Sequence, residues 1–77
     1  MVVWGAVRAW WHARQRRIDI DVLWPICLKG ANDLGHARNA FLVHCFHDPA
    51  WLALGEKELM RRIDRLTYDA YRDLRSD

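Results

Sequence analysis

The chain predicts an all-α fold, a small helical bundle of four to five helices, on three observations. Apolar residues recur at helical spacing through most of it, Asp48-Pro49 marks a sharp helix boundary, and Glu56 to Leu74 is strongly amphipathic. Only Ile18-Asp19-Ile20-Asp21 alternates like a strand, and it is too short and isolated to build a sheet. The length of 77 residues implies one domain, residues 1–77, with a Trp/Arg-rich first helix over 1–17 and a helical core over 18–77. A chain this short buries only roughly 60 to 65% of its unfolded surface, so its stability must come from a few large side chains, and five tryptophans suit that need.

The first element runs from about Val2 to Arg16, where Val3, Trp4, Val7, Trp10 and Trp11 form a stripe opposite Arg8, His12 and Arg16. Either the stripe covers the core with the arginines in water, or it docks on a partner protein or lies against a membrane surface or a nucleic-acid backbone. The next four residues, Ile18 to Asp21, are expected to connect to a short second helix. Pro25 is tolerable only in that helix's first turn, which places its start close to Leu23 or Trp24, and Gly30 offers its stop. Asn32 or Asp33 then caps a central helix, in which Leu34, Ala37, Phe41, His44 and Cys45 share one face while Leu42, Val43 and Phe46 point elsewhere. Such a helix needs neighbours on most sides.

Asp48 caps the following turn and Pro49 occupies its first position, where no hydrogen bond is lost; Trp51, Leu52 and Leu54 follow, and Gly55 suits the end. In the last helix Leu59, Ile63, Leu66, Ala70 and Leu74 form one stripe, and Glu58 with Arg62 and Arg65 with Asp69 stand four apart as exposed ion pairs. The central and last helices are expected to pack as an antiparallel pair with Trp51 buried between them.

Composition narrows the function classes. With 52% hydrophobic and 29% charged residues the chain is a folded domain and not a disordered segment. The uncharged run between Arg38 and Asp48 falls far short of the ~20 apolar residues of a membrane helix, so no transmembrane segment is expected. Arg8 interrupts any signal-peptide core, which with two cysteines, Cys27 and Cys45, read as small buried hydrophobes, points to the cytoplasm. Residues 1–17 carry four arginines and no acid, whereas the rest of the chain is nearly balanced.

No metal or other cofactor is expected, and no catalytic residue. His36, His44, Cys45 and His47 lie close in sequence, yet only His44 and His47 share a helix face, and no CxxC or HxxxH pair accompanies them. His44 reads instead as a core histidine bonded to a backbone carbonyl. Asp33 and Asp48, the carboxylates near the central helix, are occupied as caps, and no phosphate loop or nucleophile beside a base is visible.

The string IDIDVLWP from Ile18, followed by Ala31, Asp33-Leu34, HARNAF from His36, His44 and DPAW from Asp48, resembles short proteins of unknown function in proteobacterial genomes and prophages. The resemblance covers about half the chain and implies a phage-borne or accessory protein, with no catalytic residue carried over. On size alone, that origin suggests an inhibitor or adaptor that binds a macromolecule.

The function these residues favour is protein binding without catalysis. Helices two, three and five already supply Leu23, Trp24, Ile26, Leu28, Leu34, Phe41, Phe46, Trp51, Leu59, Ile63 and Leu66 to a core, so at least one first-helix tryptophan is expected to remain for a protein partner or a second copy. The binding residues are then Trp4, Arg8, Trp10, Trp11, Arg14, Arg16 and Arg17, since Trp and Arg are the types most enriched at binding hot spots. The alternative is nucleic-acid binding through the same arginines.

Overall fold

The computed structural model describes residues 2–75, with side chains from Trp4 to Arg75. Its elements are α1 (Val2–Ile18), a π-helical turn (Asp19–Leu23), α2 (Trp24–Gly30), α3 (Leu34–Phe46), α4 (Pro49–Leu52) and α5 (Glu56–Arg75). No strand occurs among the described residues, so the all-α expectation holds.

The strand-like tetrad Ile18 to Asp21 is not a connection. It passes straight from α1 into the π turn, making residues 2–30 one unbroken helical run. The signature of the wider turn is the Trp24 amide, which donates to the Asp19 carbonyl five residues back. Two sequence features account for it. Pro25 has no amide hydrogen and its ring would collide with the carbonyl four residues earlier in a regular helix, a conflict that a widened turn relieves. In a regular helix, moreover, residues five apart differ by about 140° in direction, whereas a turn closed across five residues brings them towards one side. Asp19 and Trp24 are both buried as a result.

Local capping explains the other boundaries. Asp33 Oδ1 accepts from the His36 amide at 2.8 Å and Asp48 Oδ1 from the Ala50 amide at 2.8 Å, while Gly55 ends the α4 turn at φ 85°, a conformation costly for any residue with a Cβ. Leu34 shares a groove with Ala70 and Leu74, and Arg38 reaches Asp64 at 2.8 Å, so α3 and α5 run antiparallel as expected. On α5 the guanidinium groups of Arg61 and then Arg62 hold the Glu58 carboxyl down at about 2. That cluster lies in water and contributes little to stability.

The core is aromatic. Trp24, Ala37, Phe41, Cys45, Trp51, Leu59 and Ile63 form it, and the Phe41 ring meets Trp24 and Trp51 edge-on at centroid distances of 5.3 and 5.5 Å. Of the other expected core members, Leu23, Leu28 and Leu66 are half-buried against it, Leu34 is half-buried beside Ala70 and Leu74, and two are exposed. Ile26 and Phe46 are exposed, because Ile26 stands about 200° round α2 from buried Trp24 and Phe46 about 100° round α3 from buried Cys45. The α5 stripe also outruns the core: Leu59 and Ile63 are buried, Leu66 and Ala70 half-buried, and Leu74 is exposed.

Trp51, fixed by the Asp48-Pro49 turn, is the largest fully buried side chain among the described residues. Trp51→Ala is expected to cost about 3 to 5 kcal/mol in chemical denaturation, a large share of the stability of so small a domain. A denaturation midpoint equal to that of the parent chain would contradict this packing.

Candidate functional site

The polar and apolar sides of α1 are arranged in the reverse of the ordinary amphipathic pattern. His12, Gln15 and Arg16, on the polar side, are half-buried where α1 meets α4, whereas the apolar stripe is turned about a third of a turn away from them. Trp4, Trp10 and Trp11 are 69%, 56% and 57% exposed, and every described residue from Trp4 to Trp11 lies open. The stripe therefore does not cover the core. The Trp10 and Trp11 rings meet edge-on at 5.5 Å, and the Arg14 guanidinium lies over the Trp10 ring at 5.5 Å from its centroid. Trp10, Arg14 and Arg17 also line one surface groove of about 420 Å³, together with Ala13, Ile18 and Asp21.

Arg16 stands apart from the other expected binding residues. Its Nη1 donates to the Ala50 carbonyl at 2.9 Å, and burial, with the charge of Arg62 beside it, lowers the pKa of its guanidinium. It ties α1 to α4. Arg8, Arg14 and Arg17 remain exposed, and they share with the three tryptophans a helix that has no acidic residue within its bounds.

Beneath this exposed helix lies a cluster that single-helix spacing did not reveal. Asp19 is only 4% exposed, and its carboxylate takes three donors: Gln15 Nε2 at 3.0 Å on Oδ1, and Trp51 Nε1 at 2.8 Å and His44 Nε2 at 3.0 Å on Oδ2. His44 is thus bonded to a carboxylate, not to a backbone carbonyl as expected from its sequence context. The second oxygen of Asp48 lies 3.5 Å from the same His44 nitrogen, while its first oxygen caps α4. Asp19, His44 and Asp48 each offer one ligand atom, all within 4.8 Å of one another.

His44 therefore has two carboxylates beside it that the spacing of Cys and His residues does not show. Spacing along the central helix reports neighbours on that helix alone, whereas the Asp19 carboxylate comes from 25 residues upstream. The other two histidines of that stretch lie elsewhere: His47 Nδ1 contacts the Val43 carbonyl at 2.7 Å and His36 Nδ1 accepts from the Asn32 amide at 3.5 Å. A signal was present, because Asp48 lies four residues after His44 and Asp19 lies four after Gln15 and seven after His12. That polar row becomes visible once the helix is read through Ile18.

The cysteines are free thiols. Burial pushes the Cys45 thiol up to about 12, aided by the Asp19 and Asp48 carboxylates, and burial also raises that of half-buried Cys27. Comparison with protein-family models, curated proteins and solved structures finds no match to the chain.

Two outcomes are expected from this geometry. Asp19→Ala strands the buried Trp51 N–H, costing about 1 to 3 kcal/mol, and Asp19→Asn costs less because its amide oxygen still accepts; urea unfolding of both variants checks the order. At pH 8, iodoacetamide is expected to modify Cys45 in the folded protein only as fast as the chain opens, with Cys27 ahead of it. Prompt double labelling of folded protein would mean that Cys45 is reachable.

Proposed function

We propose that the protein is a small non-catalytic binding module that docks on a protein partner through α1, acting in the cytoplasm as an accessory inhibitor or adaptor of the phage-borne type. The observation that carries this reading is the acid-free α1 whose tryptophans face away from the body they are attached to. Burying one large aromatic side chain is worth roughly 1.5 to 3 kcal/mol, so leaving three largely in water forgoes part of that stabilisation. Contiguous exposed apolar side chains rimmed by charged ones are a mark of interaction surfaces. Arg8, Arg14 and Arg17 set the partner's chemistry: an apolar recess rimmed by carboxylates, since planar guanidinium groups pair best with such acceptors. Arg16 serves the fold in this scheme.

Nucleic-acid binding is the second reading, favoured by the same acid-free run of arginines. Salt dependence separates the two. Phosphate contacts make affinity fall steeply with salt, roughly one power of concentration per contact, whereas a tryptophan-centred protein interface loses little.

The test immobilises the full-length chain and compares it with the Trp10→Ala/Trp11→Ala variant, using host extract, mass spectrometry and then titration of the retained protein. Both side chains are solvent-facing, so the variant is expected to keep its unfolding free energy within the range of about ±0.5 kcal/mol typical of surface changes, while affinity falls at least tenfold. Unchanged affinity would remove α1 as the interface. Retention of nucleic acid with a steep salt slope would replace the protein reading with the second one. Sedimentation of the isolated chain reports whether a second copy is the partner.

A further inference from the structure

We infer that Asp19, His44 and Asp48 form a binding site for a divalent first-row transition-metal ion, with zinc as the representative case. The ligand set is one imidazole nitrogen and two carboxylate oxygens, a mixture suited to such ions and poorly suited to the all-oxygen cages of calcium. Bonds of about 2.0 to 2.2 Å meeting at tetrahedral or octahedral angles separate neighbouring ligand atoms by about 3 to 3.5 Å. The His44 Nε2 distances to Asp19 Oδ2 and Asp48 Oδ2, 3.0 and 3.5 Å, match that edge length, and the third edge stays within 4.8 Å. An ion seated among the three atoms takes the place of the Nε2 proton of His44; by exchange through solvent the neutral imidazole then carries its one ring proton on Nδ1 and binds the ion through the Nε2 lone pair.

Four features beyond proximity fit this role. The carboxylates are already aimed, Asp19 by Gln15 and Trp51 and Asp48 by the Ala50 amide, as ligands in metal sites are by the groups behind them. Charge is unbalanced, because among the described ion pairs both carboxylates share His44 and neither has an arginine or lysine. His44 lies in the last turn of α3, the negative end of that helix dipole, which favours a cation. Its side chain is 36% exposed, leaving an open side through which an ion enters and where water completes the coordination.

The ligands come from three separate elements: the start of the π turn, the end of α3, and the residue capping α4. Binding would therefore clamp the root of α1 to the core. It would stabilise the folded state by mass action, since an unfolded chain does not hold the three groups together.

The experiment titrates the full chain with zinc chloride by calorimetry and with cobalt by visible absorption, after stripping with chelator. Variants are His44→Ala, Asp48→Asn and, as control, His36→Ala. Asp48→Asn retains an oxygen for the α4 cap and so separates loss of the ligand charge from loss of the fold; circular dichroism verifies each variant. The expected result is one equivalent bound with micromolar or tighter dissociation constant, a cobalt d–d band, and a melting temperature that rises with zinc. At least a tenfold weakening in His44→Ala and in Asp48→Asn is expected, with none in His36→Ala. Absence of saturable binding below 100 μM would overturn the assignment, as would an adventitious ion only, meaning binding that survives both ligand variants or is lost equally in the His36 control.

Discussion

The fold depends on a buried carboxylate. Asp19 sits under the junction of α1, α3 and α4, and each of its three hydrogen bonds comes from a different part of the chain: Gln15 one turn back, His44 from α3 and Trp51 from α4. A buried charge is costly unless its lone pairs are satisfied, so these donors cannot drift independently. Trp51 is held at both ends, its indole nitrogen by Asp19 and its ring by the edge contact with Phe41. The polar junction and the aromatic core thus share a side chain, and a change in one is felt in the other.

The same residue explains the π turn. Asp19 and Trp24 must both point inward, one to the junction and the other to Phe41, although they are five residues apart. A wider turn reconciles the two demands, and Pro25 immediately after it makes the regular alternative more costly still. Interior demands, reinforced by Pro25, therefore shape this part of the backbone more than helix propensity does.

That division sets how much was legible in the sequence. Features that depend on neighbours within a few residues were readable: the Asp33 and Asp48 caps, Pro49 at the start of α4, Gly55 at its end, the register of α5, and Trp51 as a core residue. The exposed tryptophans of α1 were only half readable, because periodicity locates a stripe but does not say which way it faces. What escaped were the partners of Asp19, 25 and 32 residues away, and with them the continuity of α1 into α2. Two isoleucines alternating with two aspartates imitate a strand when only local pattern is weighed. The centre of the candidate metal site was hidden for the same reason, since its ligands are neighbours in space alone.

The unbroken run from α1 to α2 has a mechanical consequence. An isolated helix of about ten residues is marginal in water because nucleation is unfavourable, yet the outer half of α1 extends from a segment already pinned by Arg16 and Asp19. Propagation from an existing nucleus adds one hydrogen bond per residue fixed, so Trp4 to Trp11 are presented as preformed helix and not as coil that must order on contact. Ordering penalties at an interface fall accordingly. With no loop between Trp10 and Trp24, a load on the outer tryptophans also acts on the residue that packs against Phe41: α1 is a lever whose short arm lies in the core.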